Sequence, residues 1–343
     1  MKSSLAAISF IIRYFMQNLS YELMQLLSCP EPIAVLSHES PDGDGFCSSL
    51  FIAGWLAFNG KEAHIIMAGD NLDRFEYLIE DEIIKSYSPD MAYDTMVVLD
   101  CNNRDRLGDR AALLDTAQRV VLVDHHVVEN NPVKADYSFI DQSFASVGAI
   151  LFEALEPQLA RMPPELKCRM AACLYTTILN DTNNFTNGNT NSRVLGQAAG
   201  IASYGIQPHL LYQKYFQNQS PAEIRYIGQV LSTIETHFWG KLLVMVSRHE
   251  IAVENGINPE DVLNITRWVQ GAKDIEVIIF IREDAPGDFK LSFRSAKLDV
   301  SSFAARFGGG GHRNAAGCSL NGDLDEIKAM MISQMGEVLA QAL

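Results

Sequence analysis

Between Pro32 and Gly205, short runs of β-branched and other apolar residues alternate with longer segments whose apolar positions recur at helical spacing. The runs IAVLS, TMVVLD and RVVLVD have the length of strands, whereas CSSLFIAGWLAFNG and SVGAILFEALEP have the length and period of helices. Such alternation predicts βαβ units around a largely parallel sheet. From Gln207 to Thr236 the pattern is helical, polar on one side and broken at Ser220 and Pro221, which reads as a connector. Beyond it, KLLVMVSR, a helical pattern near PEDVLNITRWVQ, the hairpin IEVIIFIREDAPGDFKLSFRS and a four-glycine run predict a second, smaller α/β domain. The expected division is therefore 1–206, 207–236 and 237–343, in keeping with a length that exceeds a comfortable single core.

Composition narrows the class. The opening MKSSLAAISFIIRYF sets a lysine before an apolar run, but Arg13 interrupts it and no small-residue cleavage pattern follows. It reads as a helical extension of the first domain, or as sequence upstream of a start at Met16, with a signal peptide the lesser alternative. The longest apolar runs are cut by Arg13, Arg119 or Arg282, short of the ~20 residues a membrane span requires. The six cysteines form no CxxC pair and no disulfide framework, which favours a reducing cytoplasm. A net charge of -15 argues against coating long duplex DNA or RNA. Between Phe289 and Arg313, however, Lys290, Arg294, Lys297, Arg306 and Arg313 face only Asp299, enough for a small anion site. Trp55, Trp239 and Trp268 are scattered and expected to pack in cores.

The chemistry gathers at the strand ends. His38, Asp42 and Asp44 lie in SHESPDGDG after the first apolar run, Asp100 closes the second, Asp124, His125 and His126 close the third, and Asp181 ends the helical AACLYTTILND. Parallel sheets collect ligands beyond the carboxyl ends of their strands. Five carboxylates cannot share a crevice as bare anions, since each unpaired buried charge costs roughly several kcal/mol, and divalent cations resolve the conflict. Carboxylate and imidazole suit Mn²⁺ or Fe²⁺, or less selectively Mg²⁺ and Co²⁺, better than a structural zinc, and the ligand number points to two ions. The plainer alternative for each aspartate is a helix N-cap. Ser48 and Ser49 have no nearby base, and Arg104 and Arg106 read equally as phosphate contacts or solvated loop residues.

SHESPDGDG, VVLDCNN, VDHH and LYTTILNDTNNF resemble the four motifs of the DHH phosphoesterase superfamily, and GGGGHRNAAG resembles the signature of its DHHA1 companion domain. The resemblance runs from about Pro32 to the C-terminus and is similar in order and size to the bacterial nano-RNase/pAp phosphatase branch. It implies a parallel-sheet DHH domain followed by a DHHA1 domain, with substrate held in a cleft. It implies that His38, Asp42 and Asp100 hold one Mn²⁺ and that Asp44, Asp100, His125 and Asp181 hold another, with Asp100 shared. His126 would then face the scissile phosphate, with Asp124 supporting the histidine pair. Arg294, His312 and Asn314, with the backbone of Gly309, Gly310 and Gly311, would grip the far end of the substrate; four glycines alone could equally be a flexible turn. The implied substrates are short RNA oligonucleotides, cut to mononucleotides, and pAp; the implied assembly is a homodimer. Polyphosphate or a cyclic dinucleotide is the alternative substrate, and a nucleotide sensor the non-catalytic alternative. Gly45, where many relatives carry Ala, and Asn102 and Asn103 depart from the usual pattern without removing a ligand.

Overall fold

The computed structural model describes residues 16–342 apart from 70, 80–82, 129, 260, 261, 263 and 264. The N-terminal extension lies outside the described residues. Two compact units part between Gln217 and Asn218, within the segment read as the connector.

The first unit runs through α1 (residues 16–25), β1 (Ile33–Leu36), α2 (Gly43–Phe58), β2 (Ala63–Met67), β3 (Ile84–Ser86), β4 (Thr95–Leu99), β5 (Arg119–Asp124) and β6 (Tyr137–Ile140). It continues with α3 (Val147–Leu159), α4 (Pro164–Asp181), α5 (Ser192–Ala202) and α6 (Pro208–Phe216). Its strands form one parallel sheet, as the sequence pattern predicts, and run in the order β3-β2-β1-β4-β5-β6. Every residue of β1 and β4 is buried, the mark of a parallel sheet covered on both faces. On one face Leu36, Met96, Val98 and Leu122 pack with Leu107 and Leu113 of the 3-10 segment Arg104–Asp115. The helices approach closely. A Cβ on Gly54 would lie 2.4 Å from Met170 Sδ, and one on Gly148 would lie 2.1 Å from Thr177 Oγ1, so α4 meets α2 and α3 where glycine leaves room.

Because the strand order reverses between β1 and β4, their adjacent turns diverge and leave a crevice at the carboxyl ends. Dinucleotide-binding sheets share this order, but here the first βα turn is SHESPDGDG rather than a GxGxxG turn.

The second unit comprises α7 (Pro221–Ser232), β7 (Glu235–His237), β8 (Leu242–Ser247), α8 (His249–Asn255), β9 (Val277–Ala285), β10 (Asp288–Ser295), α9 (Val300–Ala305), β11 (Gly310–His312), β12 (Ala315–Asn321) and α10 (Leu324–Ala342). The sheet order is β11-β12-β10-β9-β8-β7, antiparallel except for the pair β8 and β9. Alternation along β8 divides the core: Leu242, Val244 and Val246 join Phe303, Met331 and Met335, while Leu243 and Met245 join Tyr226 and Ala252.

Only one tryptophan packs as expected. Trp55 is fully buried, but Trp239 is 96% exposed and Trp268 56%. Trp239 falls in the turn between β7 and β8, where Phe238 and Trp239 both have a φ of 54°; the Phe238 ring reaches Gly336 while Trp239 stands in solvent. Trp268 ends the 3-10 turn Ile265–Trp268 with the Arg267 guanidinium over its ring. No helix among the described residues is long and apolar enough to cross a membrane, and all six cysteines are free thiols.

Candidate metal centre

Each proposed ligand of the first unit is delivered by a strand end or a helix end. His38 follows β1, and its Nδ1 lies 2.7 Å from the Glu39 carbonyl. With Nδ1–H donated there, Nε2 keeps its lone pair and lies 3.7 Å from Asp100 Oδ2 and 4.0 Å from Asp42 Oδ1. Glu39 N in turn donates to the Arg106 carbonyl, which anchors the loop. Asp42 is the N-cap of α2, accepting from Asp44 N and Gly45 N through Oδ1, so the plain structural reading of this aspartate is correct and coexists with its place in the cluster. Asp44 is fully buried and accepts from Ser48 Oγ and from Val147 N and Gly148 N at the start of α3. These backbone donors lie far along the chain. The only hint in the sequence is Ser146, which caps α3 through Ala149 N.

Asp100 lies just beyond β4 with a φ of 57°, and its amide donates to the Val123 carbonyl. Its Oδ2 faces His38, while its Oδ1 lies 3.5 Å from His125 Nε2 and 3.2 Å from His126 Nδ1. Asp124 ends β5 and organises the next turn: its Oδ1 accepts from His125 N, His126 N and His126 Nδ1 at 2.6, 3.0 and 2.8 Å. His126 therefore spends Nδ1–H on Asp124, whereas His125 turns Nδ1 toward the Phe144 carbonyl and Nε2 toward Asp181 Oδ2 (3.0 Å) and Asp44 Oδ2 (3.5 Å). Asn102, one of the departures in the sequence, donates to the Val127 carbonyl and ties the Asp100 loop to the histidine loop. Arg104 is engaged by Asp115 at 2.6 Å, away from this cluster.

Three overlapping groups each bring their ligand atoms within 4.8 Å of one another: His38, Asp42 and Asp100; Asp44, His125 and Asp181; and Asp100, His125 and His126. Burial, reinforced by Asp100 and Asp181, pushes the Asp44 carboxyl well up, and burial also raises Asp181. Burial works against charge on Asp100 too, but the His125 and His126 rings beside it outweigh burial and hold its carboxyl below the ordinary range. His126 responds in the opposite sense: burial disfavours its cation, yet Asp100 and Asp124 push it up to about 10. His125 and His126 serve as counter-cations to these carboxylates, an office a divalent ion fills with more charge. The donor set fits such an ion. Asp100 Oδ1, Asp124 Oδ2 and His125 Nε2 are buried without an aligned hydrogen bond, and none of the three groups contains sulfur.

The residues singled out in the second unit also converge. Arg294 on β10 pairs with Ala315 of β12, which pairs with His312 of β11; of His312 only the backbone is described. Ser295 N donates to the Asn314 carbonyl, so the β11–β12 turn closes on the end of β10. Arg294 is half-buried, its Nη1 donates to its neighbour's carbonyl, and no carboxylate among the described residues forms an ion pair with it. Burial lowers its pKa. Gly309 and Gly311 have a packing reason to lack side chains, since Cβ atoms there would lie 2.1 Å from Gly317 O and 2.7 Å from Ala315 O.

Comparison with known proteins gives concordant matches. The model of the N-terminal domain of the DHH family matches residues 32–178, and that of the DHHA1 domain matches residues 241–337. The bifunctional oligoribonuclease and PAP phosphatase NrnA of Thermus thermophilus is 30% identical over 315 residues, 91% of each chain. The protein of the same description from Bacillus subtilis is 21% identical over 87% of this chain and 92% of its own. Among solved structures, an exopolyphosphatase-related protein from Bacteroides fragilis shares the fold, with a TM-score of 0.82, 23% identity and coverage of 93% of this chain and 95% of its own.

Proposed function

The chain belongs to the DHH phosphoesterase family and is a metal-dependent phosphoesterase; from that premise we propose that it hydrolyses short oligoribonucleotides to mononucleotides and removes the 3′-phosphate of pAp. The observation that carries this substrate reading is the likeness, over 91% of both chains, to a relative described as having both activities. The reading includes work in the cytoplasm, where its free thiols stay reduced.

Two divalent ions, Mn²⁺ by preference, would be held by His38, Asp42 and Asp100 and by Asp44, Asp100, His125 and Asp181. Supporting this is the way Asp100 turns one oxygen to each group. Ions in such a site lower the pKa of a water nucleophile and neutralise phosphoryl charge. The chain's own groups orient and move protons. Asp124 fixes His126 through Nδ1 and keeps its cation stable, so His126 is suited to stabilise the phosphoryl oxygens and to protonate the leaving oxygen. Arg294, Asn314, His312 and the Gly309–Gly311 backbone are proposed to hold the far phosphate, an anion that would complement the half-buried guanidinium.

The test is Mn²⁺-dependent hydrolysis of an RNA dinucleotide, an RNA 24-mer, pAp and polyphosphate under one set of conditions. Rapid release of mononucleotide from the dinucleotide, slow attack on the 24-mer and phosphate release from pAp are expected. Phosphate release from polyphosphate alone would overturn the substrate assignment.

A further inference from the structure

Asp181, the last residue of α4, has one oxygen facing the cluster and the other held from behind. Its Oδ2 lies 3.0 Å from His125 Nε2, and its Oδ1 accepts from Asn180 Nδ2 at 2.7 Å. The Asn180 amide is itself oriented by a residue 35 positions away: Tyr215 OH donates to Asn180 Oδ1 at 2.5 Å. Tyr215 sits on α6 with only 1% of its surface exposed, its ring against Phe75 and Phe216. The metal loop is shaped around the pair, since a Cβ on Gly43, between Asp42 and Asp44, would lie 2.5 Å from Tyr215 OH and 2.8 Å from Asn180 Cβ.

The polarity of this chain matters. An amide has a donor end and an acceptor end, and the Tyr215 hydroxyl occupies the acceptor end. The donor end is thereby turned toward the carboxylate. Without the hydroxyl the amide could rotate and set its oxygen against Asp181, which would displace the carboxylate from His125.

We propose that Tyr215 and Asn180 are positioning residues for Asp181, forming a relay from α6 that fixes which carboxylate oxygen is presented to the metal centre. This rests on the metal-centre reading above. Neither residue is one that motif spacing singles out, because Tyr215 lies outside every motif and Asn180 gains its part only through the fold.

The experiment is Mn²⁺ binding by calorimetry on the full chain for wild type, Tyr215→Phe, Asn180→Ala and Asp181→Asn, with kcat and KM for an RNA dinucleotide at low and saturating Mn²⁺. Tyr215→Phe keeps the packed ring and removes only the donor. It should weaken Mn²⁺ binding about tenfold, the usual scale for groups behind a ligand. Activity should fall at low Mn²⁺ and recover at saturating Mn²⁺ with an unchanged KM, which a merely structural ring would not produce. Asn180→Ala should shift the isotherm in the same direction. If both isotherms coincide with wild type while that of Asp181→Asn is weakened, the relay is wrong and the metal centre stands. If Asp181→Asn also binds like wild type, the metal-centre reading fails and the relay with it.

Discussion

At Asp100 a left-handed backbone, near-complete burial and two differently directed oxygens coincide. A non-glycine residue in that conformation costs about 1–2 kcal/mol, offset by the backbone bond to the Val123 carbonyl and by the histidines around the carboxylate. Asp100→Ala should lower turnover on an RNA dinucleotide about 10³-fold or more at saturating Mn²⁺, measured by mononucleotide release, while the thermal midpoint stays close to wild type. Near-wild-type turnover would remove Asp100 from the centre. Gly45 tests the opposite expectation. A Cβ there would lie 3.1 Å from Ser37 Cβ and 3.4 Å from Asp100 Oδ2, tight contacts that small shifts relieve, so Gly45→Ala should keep activity within about threefold and stability within about 1.5 kcal/mol. Residues whose chemistry is rare at a strand end, such as His38, Asp100 and His125, were legible in the sequence. Asn180 and Tyr215 were not, because an ordinary amide and phenol become informative only through the partner they meet.

Elements set the proposed ligands in place, and the start of α3 shows how. Val147 N and Gly148 N hold the Asp44 carboxylate, Ser146 Oγ lies 3.0 Å from Thr177 Oγ1, and Gly148 leaves room for that threonine. Gly148→Ala should therefore destabilise the first unit by about 1–3 kcal/mol in denaturant titration and weaken Mn²⁺ binding at the same time. A loss of stability with an unchanged isotherm would separate the helix from the site. In the second unit Asp299 caps α9, and bonds from Ser301 and Ser302 hold its carboxyl down at about 2. A lowered pKa means the unfolded chain binds the proton more readily, so this cap stabilises above the ordinary carboxyl pKa and fades as pH falls toward 2. Asp299→Ala should cost about 1 kcal/mol at pH 7, a modest figure for an exposed group, with the difference from wild type shrinking below pH 4 in denaturant titrations. Strands β1, β4 and β5 could be read from their apolar runs because both faces are buried. The exposed Trp239 could not, since its direction depends on a left-handed turn that composition does not reveal.

At the scale of the whole molecule, a chain of net charge -15 is assigned a polyanionic substrate. That is consistent if divalent cations neutralise the carboxylates of the first unit and if Arg294, as proposed, holds a substrate phosphate at the second. Arg294→Ala should raise KM for the RNA dinucleotide about 10- to 100-fold, the loss expected for hydrogen bonds to a charged group, and leave the bound metal unchanged. Loss of metal from that variant would mean that Arg294 acts on the metal centre rather than on substrate. The α/β class and the parallel first sheet followed from hydrophobic period and order, whereas the close helix approaches at Gly54 and Gly148 depend on long-range contacts. The strand ends of the first unit are proposed to form a shared two-ion centre around Asp100. The most direct test is the Mn²⁺ content of the wild-type chain after chelation and stepwise reloading, read alongside RNA dinucleotide hydrolysis. Two ions bound per chain, with activity completed only as the second site fills, is the predicted result. Full activity with one ion, or activity that survives complete chelation, would contradict it.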